Sequence, residues 1–311
     1  MSNDRMKMPP ERDFGFYRRR KHDKWQQVET PALVSAGQRV ADTHAHVHML
    51  PDPAWELARC AANGVDFVCE ICDPSEDALE PGAALREWRE GAAACLQEAG
   101  CTAEPPQVRF ATGVHPHNAR LYDAAVESLL LARLDDPVCA ALGEIGLDFH
   151  YDLSPRDVQR RVFRRQIDIA KDRGIAIALH LRGGDDPQVD DAHREAFSLL
   201  EAVGFPKAGT ILHCCALPPD ELQPWIDAGC YIAYGGALTF KNAAAARDGA
   251  LLAPSDRLLL ETDAPYMAPE PMRGAACTPA HVVFVAALLA DLRGSAVVRQ
   301  AHENALRLLG M

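Results

Sequence analysis

Beyond residue 39, apolar and polar positions fall into a repeating pattern. Short apolar runs occur at 39–46, 65–72, 108–115, 138–145, 175–181, 208–214, 229–234 and 257–262. Strands buried on both faces read as such runs rather than as strict alternation. Helical stretches lie between them, near 53–63, 82–99, 122–133, 155–173, 190–203, 218–228 and 240–250, and a final helical region covers 278–309. Strands alternating with helices imply right-handed crossovers and a parallel sheet. Eight such strands predict an α/β fold closed as a TIM-type (β/α)8 barrel.

The helix at 155–173 has the clearest boundaries. Ser154 is placed to cap it, Pro155 suits its first turn, and Asp157 suits the positive end of its dipole. Gly174 can take the left-handed conformation that ends it. Residues 1–38 differ in character. They are polar, with Pro9-Pro10 and the run Arg18-Arg19-Arg20-Lys21. They are expected to form an N-terminal extension, packed on the barrel or partly mobile, ahead of a barrel domain at 39–311. The basic run reads as a solvated segment or as an electrostatic hold on a phosphate backbone.

A chain of 311 residues suits one large domain. Its net charge of −12 argues against a surface coated for nonspecific duplex binding. A nucleic acid held in one local pocket stays open, because bound cations bring their own charge. No signal-peptide core and no membrane-length apolar run appears, so no membrane partner is expected. The ten cysteines fall mostly in apolar strands and helices, which suggests free thiols in a reducing cytoplasm. Cys69 and Cys72 form a C-x-x-C pair without a second pair, and read as buried small side chains.

Chemistry enters at the strand ends. His44, His46, Glu144, His180, His213 and Asp263 each close an apolar run. In a barrel, the C-terminal strand ends face one mouth. Imidazoles and carboxylates gathered there point to divalent cations. His44 and His46 share a face by period-two geometry. Glu144 has two oxygens and can bridge two cations. His180 and His213 are ligands for a second ion. Asp263 can ligate and also accept a proton from water. Glu261 is expected on the opposite face from Asp263, as supporting structure. His115, His117, Arg182 and Arg273 are candidates for holding substrate, with Arg182 suited to clamp a phosphate oxygen. Cys214 and Cys215 are read as pocket walls. Two cations sharing a carboxylate favour hydrolysis.

The motifs Asp42-Thr43-His44-Ala45-His46, Gly113-Val114-His115-Pro116-His117, Gly143-Glu144-Ile145-Gly146-Leu147-Asp148, His180-Leu181-Arg182, His213-Cys214, Gly236 to Lys241 and Leu259 to Tyr266 occur in order, followed by Arg273-Gly274 and Asn304. Together they resemble the TatD family of metal-dependent deoxyribonucleases, in the amidohydrolase superfamily, from about residue 40 to the C-terminus. The resemblance implies a TIM-type barrel with a two-metal site whose ligand pattern falls on His44, His46, Glu144, His180, His213 and Asp263. It implies magnesium, zinc or manganese as cofactor and trimming of DNA strand ends. His48, Cys214 to Leu217 and Gly183-Gly184 depart from the family pattern on the pocket rim.

The leading expectation is therefore a two-metal phosphodiesterase acting on DNA, with single-stranded ends as substrate. Asp263 and Glu144 would be catalytic, and His115, His117, His150, Arg182 and Arg273 would bind substrate. The alternative is a barrel hydrolase of the same superfamily acting on a small ester, lactone, amide or phosphoester. A noncatalytic, metal-stabilised adaptor is a minor third reading. Deleting residues 1–38 should cost an adaptor its partner and leave an enzyme its turnover. No obligate protein partner is evident.

Overall fold

The computed structural model describes residues 12–20, 24–76, 78–186 and 191–310. Pro9, Pro10 and Lys21 lie outside them. Eight strands form one parallel sheet in sequence order: β3 (Val40–Ala45), β4 (Val65–Cys72), β5 (Gln107–Thr112), β6 (Cys139–Asp148), β7 (Ala176–Arg182), β8 (Thr210–Leu212), β9 (Tyr231–Tyr234) and β10 (Leu258–Leu260). Each falls within or beside an apolar run predicted above. Before them come the antiparallel strands β1 (Phe16–Arg20) and β2 (Lys24–Val28) and the one-turn helix α1 (Ala32–Ser35). Helices α2 (Pro53–Ala62), α3 (Pro81–Glu98), α4 (Ala124–Leu134), α5 (Arg156–Arg173), α6 (Ala192–Val203), α7 (Pro219–Asp227) and α8 (Ala244–Leu252) connect the barrel strands. The predicted last helical region is two helices, α9 (Val282–Arg293) and α10 (Ser295–Leu309), separated by Gly294 at φ +86°.

The barrel closes at the seam between β3 and β10. Ala45 bridges Ala264, His46 N–H donates to Ala264 O at 2.7 Å, and Asp263 N–H donates to His44 O at 2.9 Å. Asp42 is buried and accepts from both the backbone N–H and the hydroxyl of Thr262, at 2.9 and 2.6 Å. A buried carboxylate without donors would be costly, so this pairing ties the first strand to the last. Asn304 of α10 is likewise fully buried and donates to Ser255 O and Leu258 O, which anchors the entry to β10.

Small and branched side chains and one large ring, Phe67, fill the lumen: Ala41, Phe67, Cys69, Ile71, Ala111, Ala141, Ala178, Ile211, Ala233 and Leu259. A larger apolar shell packs between strands and helices. Sequence signals at α5 divide. Gly174 ends it at φ +64°, as expected. Ser154 does not cap it, because Pro155 takes the cap position and the Ser154 hydroxyl instead donates to His117 O at 2.7 Å. All ten cysteines are free. Among the described residues, no helix is long and apolar enough to cross a membrane.

The extension is bound to the barrel by an apolar plug. Phe16 is fully buried, edge-on to Phe284 at 4.8 Å and beneath the Arg59 guanidinium at 5.1 Å. Arg59 donates to Gly15 O and Asn63 to Phe14 O, while Arg18 donates to Pro271 O. Truncating a buried phenylalanine typically costs about 3–5 kcal/mol. Phe16→Ala should lower stability by that order in denaturant unfolding. Removing residues 1–38 takes away the same plug, so a truncated enzyme should lose turnover through unfolding, contrary to the expectation from sequence.

Candidate metal centre

Two irregular strands aim the central side chains inward. Ala41 faces the lumen, so strict alternation would put His44 outside. The β3–β4 register shifts between Asp42 and Ala45, and beyond the shift Ala45 and Val47 join the outer apolar shell. His44 and His46 are thereby turned to the barrel mouth, as bulges often re-aim side chains. The β6–β7 register shifts likewise between Leu142 and Ile145. That shift turns Glu144 inward and leaves Ile145 and Leu147 in the outer shell. Gly146 makes this possible. A Cβ there would lie 2.1 Å from His180 O, so no side chain fits between β6 and β7.

Glu144 is buried at the centre, and its two oxygens face different partners. Oε2 lies 3.4 Å from His44 Nε2 and 3.9 Å from His46 Nε2. Asp263 Oδ1 is 4.0 and 3.6 Å from the same two nitrogens. Oε1 lies 2.7 Å from His180 Nδ1, 3.5 Å from His213 Nε2 and 3.8 Å from His115 Nε2. Two groups that could hold a cation therefore share one carboxylate: His44, His46 and Glu144, and Glu144, His180 and His213. His44 Nε2 is buried without any hydrogen-bond partner. A nitrogen of that kind, among imidazoles and carboxylates, fits a divalent ion.

The buried carboxylates and imidazoles of the cluster shift one another's protonation. Burial opposes the Glu144 charge, yet His213, His44 and His180 hold its carboxyl well below the usual carboxylate range. Burial, and then the nearby His213, push the His44 imidazole down. The two rings stack at 3.6 Å. Burial works against protonation of His213 too, but Glu261 and Glu144 push it up to about 10. Two imidazolium rings could not share that stack.

Glu261 does not face away from the site. It has the parity of the lumen residue Leu259, and β10 has already ended at Leu260. Asp263, two residues on, has the same parity, so alternation never separated the two, and the chain then turns at Asp263 with φ +61°. Glu261 Oε1 accepts from Cys214 N–H at 2.6 Å and lies 3.1 Å from His213 Nδ1. It supports the histidine, and it also stands near enough to His44 and His213 to join a cation-holding group.

The mouth is a cavity of about 770 Å³ lined by His46, His115, His117, Glu144, His180, Arg182, His213 and Asp263, together with Asp73, Glu76, Tyr151 and Tyr266. His150 and Arg273 do not line it. His150 Nδ1 lies 3.9 Å from Asp185, and the Arg273 guanidinium stacks on Phe240 at 3.9 Å. Cys214 and Cys215 join none of the cation-holding groups, and burial pushes the Cys215 thiol up to about 12.

Some working residues escape sequence reasoning. Asp148 Oδ2 lies 2.8 Å from His117 Nε2 and 3.1 Å from His180 Nε2, while its Oδ1 accepts the backbone N–H groups of His150 and Tyr151. It fixes two rings and a loop at once, the orienting role expected of a group behind metal ligands. Its signal was its place four residues after Glu144. Asp73 follows β4 directly and accepts from His115 N–H and Asn118. His48, a departure from the family pattern, contacts the fully buried Glu70 through Nδ1.

Comparison with known proteins agrees with this architecture. The family model described as TatD related DNase matches residues 41–310. An uncharacterized metal-dependent hydrolase of Bacillus subtilis, YabD, is 37% identical over 171 residues, 54% of this chain and 64% of that protein, so the match spans just under two thirds of its length. The 3′-5′ ssDNA/RNA exonuclease TatD of Escherichia coli K12 is 30% identical over 221 residues, 70% of this chain and 79% of that protein. The solved structure of YjjV, a TatD homologue from the same organism, superposes with a TM-score of 0.71 at 24% identity, covering 88% of this chain and 98% of that one; that likeness concerns the fold. With a family match across nearly the whole barrel, this chain belongs to the TatD-related DNase family of metal-dependent hydrolases.

Proposed function

We propose that the protein is a two-cation phosphodiesterase that trims single-stranded nucleic-acid ends, with DNA as its main substrate. The observation that carries the reading is the divided carboxylate of Glu144, with one set of donors at each oxygen. His44, His46, Glu144 and Asp263 would hold one ion, and Glu144, His180 and His213 the other. Bound there, divalent cations would offset the charge that builds on phosphorus during displacement.

The chain's own groups do the rest. Burial opposes the Asp263 charge, but His46, His213 and His44 keep its carboxyl below the usual range. It is thus an ionised acceptor for the proton of the attacking water. The water oxygen bonds to phosphorus, the P–O ester bond breaks, and the proton taken up by Asp263 is passed on to the leaving oxygen, which returns the carboxylate to its ionised form. His117, oriented by Asp148, and Arg182 line the cavity on the Oε1 side and can hold phosphate oxygens. The exonuclease activity in the name of the Escherichia coli relative supports single strands as substrate.

A small-molecule substrate is favoured by one observation, the carboxylates of Asp73 and Glu76 on the cavity wall. The test is a panel of labelled single-stranded DNA, duplex DNA, RNA and small esters and lactones, with magnesium, manganese or zinc. Progressive shortening of single strands, abolished by a chelator and restored by metal, is expected. Rapid turnover of an ester with no shortening of any strand would overturn the proposal.

A further inference from the structure

The inference rests on the phosphodiesterase reading and concerns how the substrate is gripped. We propose that Tyr151 and Tyr266 are stacking platforms on opposite sides of Glu144, holding the unpaired bases that flank the scissile phosphate. Among the described residues these are the exposed side chains of the Phe, Trp and Tyr type, at 52% and 50%. Both line the same cavity. Tyrosine rings left in water beside a candidate centre, by a fold whose described phenylalanines, tryptophans and other tyrosines are buried or half-buried, point to a binding surface.

The two rings stand at different ends of the centre. Tyr266 lies 6.1 Å from the His46 ring, on the Oε2 side of Glu144. Tyr151 lies 5.4 Å from the His117 ring, beside the His115 and His180 group on the Oε1 side. Each is held in place by the machinery itself. Tyr266 N–H donates to Asp263 O at 2.8 Å, and Tyr151 N–H donates to Asp148 Oδ1 at 2.8 Å. The Arg182 guanidinium lies over one face of Tyr151, 4.7 Å from the ring centre, so a base would stack on the other face with a cation beside the passing phosphate.

Stacking on aromatic rings is tolerant of sequence, because every base has a π-face, and it needs bases freed from a duplex. The cavity of about 770 Å³ falls in the range that encloses small ligands, roughly 300–1,000 Å³. It suits the end of one strand and not a paired helix. The acidic wall is then no obstacle, since the bases rather than the phosphates supply much of the hold.

The experiment compares a single strand whose last two nucleotides carry bases with the same strand made abasic there, using the full chain. Tyr151→Ala and Tyr266→Ala should each raise KM for the base-bearing strand about tenfold, with kcat changed less than about twofold, and Tyr→Phe should restore KM. The abasic end should show the high KM with the unaltered protein, and ring loss and base loss should not add. Fluorescence anisotropy of both strands on the Asp263→Asn protein reads binding without cleavage. Equal affinity for the two strands, or alanine variants with unaltered affinity, would overturn the stacking proposal. Tyrosine-dependent binding without cleavage by the unaltered protein would overturn the phosphodiesterase reading and leave the platforms standing.

Discussion

Asp263→Asn should lower kcat on a single-stranded oligonucleotide by about a thousandfold, within the roughly 10²–10⁴ range that positioned acid–base groups supply. The substitution keeps the shape and removes the charge. Asp263 Oδ1 sits 3.6 Å from His46 Nε2 and 4.0 Å from His44 Nε2, so the carboxylate is where a proton would be taken and a cation held. An amide oxygen can do neither well. The fold should survive, because asparagine tolerates the left-handed φ of +61° as readily as aspartate. The backbone bond from residue 263 N–H to His44 O does not involve the side chain. Circular dichroism and thermal melting without metal should therefore match the unaltered protein. Assays at saturating metal separate a weakened ion from a lost proton acceptor, and full turnover there would remove Asp263 from the mechanism.

Much of this was legible in the chain, for identifiable reasons. Strands buried on both faces must be apolar, so β7 and β9 announce themselves, and β7 ends where His180 and Arg182 leave the core. The six candidate ligands were found because a parallel barrel sends all such ends to one mouth. What stayed hidden depends on backbone irregularity or long range. Alternation counted from Ala41 or Ala141 puts His44 and Glu144 on the wrong face, and only the register shifts restore them. The glycines flanking Glu144 hint at a bulge without giving its direction. Glu261 was misplaced because residues two apart on a strand share a face, so alternation itself puts 261 with 263 and with the lumen residue Leu259. The sequences of β1 and β2, FYRRR and KWQQV, carry little strand patterning. Their place is set by Phe16 meeting Phe284, 268 positions away in the chain, which no local pattern encodes.

Register shift, glycine and carboxylate come together at residue 144, and its replacement is the sharper test. Glu144→Gln should reduce bound metal from about two equivalents to one or fewer and kcat by at least about a thousandfold. Glutamine keeps one acceptor oxygen and converts the other to an NH₂ donor. Whichever way the amide turns, one group loses its acceptor: His44 and His46, 3.4 and 3.9 Å from Oε2, or His180 and His213, 2.7 and 3.5 Å from Oε1. Metal content after gel filtration gives the stoichiometry without reference to activity. The rise in Tm on adding manganese gives a second measure, since a ligand stabilises only the state that binds it, and that rise should shrink. The two substitutions thus part company: at saturating metal Asp263→Asn should retain occupancy and lose turnover, while Glu144→Gln should lose both. Two full equivalents with unchanged kcat in Glu144→Gln would mean that the shared carboxylate does not join the two halves of the site.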